Sequence, residues 1–317
     1  MSQTAQALWI TQAGRAALQT EPVAGEVQVK TLFSGISRGT ERLVFQGRVP
    51  ESEHDTMRAP FQAGSFAFPI KYGYSAVGEI KGGDRDGEVI FALFPHQDHF
   101  ALPAHMATPV PKGVPAKRAI LAANMETALN IIWDAGIAPG DRVAVIGSGV
   151  VGALSGYLAA QIPGTEVELI DIDPGKAALA KALNCAFALP DAAQGDVDVA
   201  IHASASSAGL STAIHLAGME ATIVEASWYG DALTEVPLGG PFHQKRLRIV
   251  GSQVGCIPPL RAARWDYARR LSKALSLLAD PVLDNLISGE TEFGDLPNAY
   301  AGILEDPATL CHRVRYA

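Results

Sequence analysis

Residues 140–152 read GDRVAVIGSGVVG, and this stretch decides the fold. RVAVI (142–146) begins with an arginine and continues as the short apolar run VAVI. Such a run is typical of a strand buried on both faces. The pattern Gly147-x-Gly149-x-x-Gly152 follows at once, and VGALSGYLAAQI (151–162) then has helical spacing. The stretch therefore predicts a strand, a tight glycine turn and a helix in direct succession.

The alternation of strand and helix continues downstream. Predicted strands are VELID (167–171), VDVAIH (197–202), ATIVEA (221–226) and RLRIVGS (246–252), and predicted helices between them are PGKAALAKAL (174–183) and SSAGLSTAIHLAG (206–218). Apolar strands that alternate with helices indicate a parallel sheet covered on both faces. We therefore predict an α/β fold with a doubly wound parallel sheet.

The segments on either side of this region have a different sequence pattern. Up to about residue 120, short alternating runs such as EVQVKTLF and EVIFALF are separated by turn signals, which predicts a β-rich domain. Helical patterns at 119–136 and 263–280 bracket the alternating region, and RVRYA (313–317) predicts a last strand. We predict a β-rich domain over 1–122, a nucleotide-binding domain over 123–256, and a C-terminal part over 257–317 that returns to the first domain.

The glycine turn has the chemistry of a dinucleotide site. Gly147 permits the tight turn, Gly149 lets backbone approach a pyrophosphate, and Gly152 lets helix and strand pack closely. The helix begins with unpaired N–H groups and a partial positive charge, which attract phosphate. The predicted cofactor-binding loop comprises Gly147, Ser148, Gly149, Val150, Val151 and Gly152.

Asp171 ends the second predicted strand, about 20 residues after the third glycine. A carboxylate there accepts hydrogen bonds from the ribose hydroxyls of NAD and repels the 2′-phosphate of NADP, so NAD(H) is the predicted cofactor. The alternative is a helix N-cap, a role that Asp173 fits better. His202 and Ser204 follow the third strand at the carboxyl edge, where the cofactor binds, and are further predicted contacts.

Composition excludes several classes of protein. The chain has 317 residues, of which 48% are hydrophobic and 18% charged, and a net charge of −8 without a long basic run. We expect a small-molecule substrate as the partner, and we expect neither nucleic acid nor a membrane. The N-terminus lacks the pattern of a secretion signal. The three cysteines, Cys185, Cys256 and Cys311, suit neither a disulfide framework nor a zinc cluster. We expect a soluble, cytoplasmic protein.

This order of segments resembles the medium-chain dehydrogenase/reductase family, the alcohol dehydrogenase relatives, over nearly the whole chain. SGISRGTERLVFQG (34–47) is similar to the segment with the first catalytic-zinc cysteine, KYGYSAVGEI (71–80) to the Gly-His-Glu strand, and AANMETA (122–128) to the segment with the third zinc ligand. The resemblance implies a GroES-like catalytic domain, a Rossmann domain, and a homodimer formed through the edge strand near 246–255.

The resemblance also implies three further cofactor contacts. Thr127 matches the threonine that contacts the nicotinamide, Lys176 the lysine beside the adenosine ribose, and Arg313 the C-terminal basic residue that reaches the phosphates. For Lys176 and Arg313 the alternative is a solvated surface charge.

The zinc ligands of the family are missing. Tyr74 stands where zinc-binding members have histidine, Ser37 or Arg38 where they have cysteine, and Ala123 at the third position. Residues 1–184 contain no cysteine, so the structural zinc lobe is missing too. Tetrahedral zinc needs three or four converging donors. We therefore predict no bound metal, as in the zinc-free branch that includes the hydroxyethyl-bacteriochlorophyllide dehydrogenase.

Without zinc, hydrogen-bond donors must stabilise the substrate oxygen. Tyr74 is the predicted donor, the alternative being a residue that only shapes the site. His96 is a predicted proton relay, the alternative being a polar loop residue. Ser37 is a further predicted catalytic residue. Glu41, which resembles the residue behind the family's first zinc ligand, is expected to pair with Arg38 or a C-terminal arginine.

These features predict a zinc-independent, NAD(H)-dependent oxidoreductase that interconverts an alcohol and a carbonyl, with a biosynthetic intermediate as substrate. One alternative is an enoyl or quinone reductase, usually an NADPH enzyme, which Asp171 disfavours. Another is a non-catalytic nucleotide-binding sensor, in which missing zinc ligands are equally expected.

Overall fold

A computed structural model describes residues 4–317 of the chain. The chain forms two compact units. Unit 1 consists of the chain up to Ala123 together with Leu271–Ala317, and unit 2 consists of Asn124–Arg270.

The first part of the chain is rich in short strands. Its elements are β1 (Thr4–Gln12), β2 (Arg15–Pro22), β3 (Val27–Ser37), α1 (Arg38–Phe45), β4 (Ala63–Gly64), β5 (Ile70–Lys71), β6 (Ala76–Lys81), β7 (Val89–Ala92), β8 (His99–Leu102), β9 (Thr108–Pro109), α2 (Ala116–Ala119) and α3 (Ala122–Ala135).

The central part alternates strands and helices. Its elements are β10 (Arg142–Ile146), α4 (Val150–Ala159), β11 (Glu166–Ile170), α5 (Ala177–Ala182), β12 (Ala186–Ala188), β13 (Val197–His202), α6 (Ser207–Leu216), β14 (Ala217–Glu225), β15 (Arg248–Gly251), α7 (Pro259–Ala262) and α8 (Tyr267–Leu277). The last part adds β16 (Ile287–Glu292), α9 (Leu296–Glu305) and β17 (Cys311–Arg315).

Unit 1 contains two sheets. The larger runs β16-β17-β3-β6-β7-β9, with β8 also paired to β3, and the smaller runs β2-β1-β5-β4. The long strand β3 pairs antiparallel with β17, β6 and β8, so it brings the C-terminal strand beside the N-terminal ones. The C-terminal strand and the N-terminal strands thus belong to one sheet.

Unit 2 contains the predicted parallel sheet. Its strand order is β12-β11-β10-β13-β14-β15, and every neighbouring pair is parallel. The order reverses between β10 and β13, and in open α/β sheets ligands bind outside the carboxyl ends of the strands at such a switch point. Buried alanine, isoleucine and leucine side chains from β10, β13, β14 and α6 form the core beneath it.

Several predicted elements have different bounds. The helical pattern at 119–136 forms two helices, α2 and α3, which are separated by Ile120 and Leu121. The helix predicted over 263–280 begins only at Tyr267, because the Asp266 side chain accepts from Arg269 N at 2.7 Å and caps it. Strands β12 and β16 and helix α9 were not predicted, since β12 has three residues and β16 reads ISGETE, with little apolar signal.

The segment 257–270 lies with unit 2, whereas the sequence placed it with the C-terminal part. Arg270 is 2% exposed, and its guanidinium donates to Glu126 Oε1 at 3.0 Å, to Asn130 Oδ1 at 2.6 Å and to the Val254 carbonyl. These buried bonds fasten the start of α8 to α3. Within residues 4–317, no helix combines the length and the apolar character needed to cross a membrane.

Candidate functional site

The glycine turn after β10 is shaped by close backbone packing. Gly147 has φ +100°, and a Cβ added there would lie 2.8 Å from the Ser204 backbone nitrogen. A Cβ on Gly152 would lie 1.9 Å from the Gly147 carbonyl oxygen. Only glycine fits at these two positions, because any larger residue would push the turn away from β13 or from α4.

The space in front of the turn is open. A Cβ on Gly149 would meet nothing within 4 Å, and no side chain caps the α4 N-terminus at this residue. Val150 and Val151 begin α4, so their N–H groups belong to its first turn, which has no intrahelical acceptors. The Ser148 side chain is buried, and its Oγ has no hydrogen-bond partner. An orphaned hydroxyl beside an uncapped helix N-terminus fits a phosphate-bearing ligand.

Asp171 lies directly after β11 and faces this turn. Its Oδ2 accepts from Ser148 N at 2.7 Å, and its Oδ1 accepts from Asp173 N at 3.0 Å. The N-cap role that the sequence left open for Asp171 belongs instead to Asp173, whose Oδ1 accepts from Gly175 N at 2.8 Å at the start of the turn that ends at Lys176. Asp171 is therefore a carboxylate at the carboxyl edge of the sheet, where the ribose of a dinucleotide requires an acceptor.

His202 and Ser204 are joined in a hydrogen-bonded series that the sequence only partly predicted. His202 Nε2 lies 2.7 Å from Ser204 Oγ, and His202 Nδ1 lies 2.7 Å from Glu225 Oε2. Tyr229 donates its hydroxyl to the same Glu225 oxygen at 3.1 Å, and Ser227 N donates to Glu225 Oε1 at 2.8 Å. Sequence reasoning missed Glu225 as a partner, although His202 and Glu225 end neighbouring parallel strands and lie opposite each other in register.

Burial alone would raise the pKa of Glu225. The hydrogen bonds and charge of His202, together with the bonds from Ser227, outweigh that effect and lower the pKa. Thr127, the other predicted contact in unit 2, lies on α3 and is partly exposed.

In unit 1, Glu41 is the centre of a fully buried polar set. Its side chain is 0% exposed, its Oε1 accepts from Ser37 N at 2.7 Å, and its Oε2 accepts from Tyr300 OH at 2.6 Å. His96 Nε2 lies 3.0 Å from the same Oε2. The expected pairing of Glu41 with Arg38 or a C-terminal arginine is wrong, because the buried N–H and O–H groups around it leave no room for a guanidinium.

The set continues from His96 to the end of the chain. His96 Nδ1 lies 2.7 Å from Ser34 Oγ, which lies 2.9 Å from Tyr316 OH. Since a carboxylate can only accept, His96 Nε2 donates to Glu41, and in the tautomer with a single ring proton Nδ1 accepts from Ser34. Tyr300 and Tyr316 were missed by the sequence because α9 and β17 bring them in from the other end of the chain.

Tyr74 lies beside this set, and only part of its surface is exposed. Burial, and secondly the charge of Glu41, raise the pKa of Tyr74 to about 12, although the Ser37 and Thr40 side chains act in the opposite direction. The phenol is therefore neutral at physiological pH and can donate a proton in a hydrogen bond.

The residues at the family's zinc positions do not fit a zinc ion. Hydroxyl groups of Ser37 and Tyr74 and the methyl group of Ala123 are not ligands of structural or catalytic zinc, and His96 and Glu41 bind each other. Within residues 4–317, no three His, Cys, Asp or Glu side chains are grouped so that they could hold a metal ion.

Arg313, on β17 in unit 1, has local partners. It forms an ion pair with Glu290, and its guanidinium lies 5.6 Å from the centre of the Phe33 ring. Its charge is thus shared with a neighbouring carboxylate in the same sheet.

Sequence comparison finds distant relatives. No protein-family model matches the chain. D-xylulose reductase A from Aspergillus niger is 26% identical over 234 residues, which are 67% of this chain and 62% of that protein. The match therefore spans less than two thirds of that relative's length, and it supports a relationship to the medium-chain, zinc-type alcohol dehydrogenases.

Comparison with solved structures shows the fold. L-idonate 5-dehydrogenase from Escherichia coli has a TM-score of 0.79 at 17% identity and covers 99% of both chains. An alcohol dehydrogenase from E. coli CFT073 complexed with NADH has a TM-score of 0.75 at 16% identity, covering 98% of this chain and 99% of its own. TarJ from Staphylococcus aureus, in complex with NADPH, has a TM-score of 0.75 at 15% identity, covering 99% and 100%. The chain has the α/β fold of the medium-chain alcohol dehydrogenase-like proteins, and the predicted fold class is confirmed.

Proposed function

We propose that the protein is a zinc-independent, NAD(H)-dependent oxidoreductase of the medium-chain dehydrogenase/reductase family that interconverts an alcohol and a carbonyl. The observation that carries the proposal is the glycine turn from Gly147 to Gly152 at the switch point of the parallel sheet, with the Asp171 carboxylate fixed 2.7 Å from Ser148 N. Similar proteins named as a D-xylulose reductase and an L-idonate 5-dehydrogenase support a polyol or hydroxyketone as the substrate class.

The residues of unit 2 would hold the cofactor. The first turn of α4, with Gly149 and the free Ser148 hydroxyl, binds the pyrophosphate, and Asp171 accepts from the ribose hydroxyls. Thr127, Lys176, His202 and Ser204 complete the proposed contacts in this unit, and the Arg313 contact stays a prediction from the sequence. The nicotinamide supplies or accepts the hydride when bound.

In unit 1, Tyr74 would donate to the substrate oxygen. A neutral phenol can stabilise the charge that develops on an alkoxide, which is the task of zinc in metal-dependent enzymes. Ser37 acts on Tyr74 and lowers its pKa, and Glu41 fixes Ser37 by accepting from the Ser37 backbone N–H. His96 joins Glu41 to Ser34 and Tyr316 and would relay protons along that buried series.

Asp171 also helps to distinguish the proposed activity from the two alternative functions. An enoyl or quinone reductase of this family usually uses NADPH, whose 2′-phosphate would be repelled by the Asp171 carboxylate. A non-catalytic nucleotide sensor would bind NADH with no turnover. Titration with both cofactors separates the first alternative from the proposal, and turnover with any carbonyl substrate excludes the second.

We expect the wild-type protein to bind NADH more tightly than NADPH by about 1–3 kcal/mol, the scale of one repelled or unpaired charged contact. Asp171→Asn keeps an acceptor for Ser148 N and removes the charge, so the difference between the two dissociation constants should narrow. Asp191→Ala, at an exposed aspartate of the same unit, should leave both constants unchanged. Tighter binding of NADPH than NADH by the wild type would contradict the assignment of Asp171.

Zinc independence is proposed from the residues at the ligand positions. Elemental analysis of protein purified without a metal-binding tag should find less than about 0.2 zinc per chain, because three or four donors must converge to hold zinc. Addition of a chelator should leave turnover unchanged. One zinc per chain, retained after dialysis and needed for turnover, would overturn this part of the proposal.

A homodimer through β15 is part of the same proposal, with a solution mass of two chains as its test. Strand β15 lies at the edge of the parallel sheet, and Ile249 in it is exposed, so a second copy could extend the sheet there. The cytoplasmic location, the zinc-free branch and the lack of nucleic-acid or membrane partners stay predictions from the sequence.

A further inference from the structure

The series Ser204–His202–Glu225 in unit 2 has the arrangement of a nucleophile, a base and a carboxylate. The Ser204 Oγ to His202 Nε2 distance is 2.7 Å, and the His202 Nδ1 to Glu225 Oε2 distance is also 2.7 Å. We propose that Ser204 is a nucleophile activated by His202 and Glu225, and that it gives the protein a second activity, the hydrolysis of small activated carboxylic esters.

The hydrogen bonds run in the direction that activation needs. The Glu225 oxygens accept from two fixed donors, Ser227 N and Tyr229 OH, as a carboxylate does. His202 Nδ1 then donates to Glu225, and the tautomer with its proton on Nδ1 leaves Nε2 as an acceptor. Ser204 therefore donates its hydroxyl proton to Nε2, which is the tautomer and the bond that a serine nucleophile requires.

Glu225 is held in place by groups other than His202. Ser227 N donates to its Oε1, and Tyr229 OH donates to its Oε2, so each carboxylate oxygen has a fixed partner other than His202. His202 itself is 0% exposed. The base and the carboxylate are thus preorganised, and they need no rearrangement before they act.

Ser204, in contrast, is exposed, so an ester can reach its oxygen. It lies in the short connection between β13 and α6, against the first turn of the helix. A Cβ added to Gly209 would lie 2.2 Å from Ser204 Oγ and 2.7 Å from His202 Nε2, so only glycine lets α6 pack against this pair. The positive end of α6, a helix of ten residues, is therefore next to the nucleophile, where its partial charge favours the oxyanion formed on the ester carbonyl.

Ser206 completes the surroundings of the nucleophile. Its Oγ lies 2.9 Å from Ser204 Oγ and accepts from Gly209 N at 3.0 Å. Since the Ser204 proton is directed to His202, the Ser206 hydroxyl donates to Ser204 and holds its lone pairs in position.

The reaction balances without a cofactor. Ser204 Oγ forms a bond to the ester carbonyl carbon while its proton moves to His202 Nε2. The bond from that carbon to the alcohol oxygen then breaks, and the Nε2 proton passes to the leaving alcohol. Water attacks the acyl-serine in the same way, returns a proton through Nε2, and releases the carboxylic acid and free Ser204.

The activity is tested with 4-nitrophenyl acetate and a fluorophosphonate probe on the full-length protein in the absence of nicotinamide. We expect release of 4-nitrophenol and the addition of one phosphonyl group per chain, mapped to Ser204 by peptide mass spectrometry. Ser204→Ala should lose both, with a fall in turnover of about 10²-fold or more, and Glu225→Gln should lower the rate through the wrong His202 tautomer.

Ser211→Ala is the matched control, because Ser211 lies on α6, after the Ser204 connection, and its hydroxyl is hydrogen-bonded to His215. It should retain the wild-type rate and the label. Equal hydrolysis by wild type and Ser204→Ala, or a label on any other residue, would overturn the proposal. The mapping uses the wild-type protein, so it decides even if a variant fails to fold, and it does not depend on the proposed oxidoreductase activity.

Discussion

Replacing Tyr74 by phenylalanine is expected to lower kcat by about 10²–10³-fold, the usual effect of losing one donor to a developing oxyanion. The variant removes only the hydroxyl, whose pKa of about 12 keeps it protonated over the working range of pH. Turnover is measured as NADH oxidation with the carbonyl compound that gives the highest rate in a screen of hydroxyketones and ketoses. Affinity for NADH and thermal stability should stay close to the wild-type values.

Tyr72→Phe is the control for this experiment. The Tyr72 and Tyr74 rings are 6.0 Å apart at 90°, and Tyr72 is 4% exposed. Each substitution therefore removes one phenol oxygen from the same pair of neighbouring rings. Tyr72→Phe should keep nearly normal turnover. If Tyr74→Phe also does, Tyr74 only shapes the site, and His96 becomes the residue to test.

The raised pKa of Tyr74 determines how its contributions to stability and to turnover depend on pH. A tyrosine pKa raised from 10 to about 12 means that the folded protein holds the phenol proton more tightly than the unfolded chain does. The stabilisation is complete below pH 10 and is lost as the pH rises through 12. Turnover that depends on a neutral Tyr74 should therefore show no limb from this residue between pH 5 and pH 10.

The cofactor half of the site was predictable because its determinants are local in sequence. The strand, the glycine turn and helix α4 follow one another within 140–159, and Asp171 directly follows the next strand. The positive φ of Gly147 and the contact of Gly152 with the Gly147 carbonyl are local features that a spacing pattern can express. The same holds for the parallel sheet, since each of its longer strands is a short apolar run between helices.

The partners of the buried residues were not predictable in this way. Glu41 meets Tyr300 across 259 positions of the chain, and Ser34 meets Tyr316 across 282. No periodicity of β3 or α1 reports which side chain the returning strand β17 and helix α9 will place there. The expectation of an arginine partner for Glu41 failed for this reason, because charge complementarity is a weak guide inside a core where hydroxyl and N–H donors suffice.

Replacing Glu41 by alanine is expected to lower the free energy of unfolding by about 3–5 kcal/mol, because three buried donors lose their acceptor at about 1–3 kcal/mol each. The carboxylate accepts from Ser37 N, Tyr300 OH and His96 Nε2 at 2.7, 2.6 and 3.0 Å. Alanine leaves these three donors facing a cavity, and each unsatisfied buried group is costly. The measurement is a urea denaturation curve, in which the midpoint should fall while the slope stays the same.

Two further variants test whether the loss of stability in Glu41→Ala comes from the buried donors around Glu41. Tyr300→Phe removes one donor and leaves the carboxylate with two, so it should cost only about 1 kcal/mol. Glu51→Ala, at an exposed glutamate of the same unit, should change stability by less than about 0.5 kcal/mol. Since Tyr300 OH, Ser37 N and His96 all converge on Glu41, its loss must exceed the loss of any one donor. Equal midpoints for Glu41→Ala and Glu51→Ala would mean that water fills the cavity and satisfies the three donors.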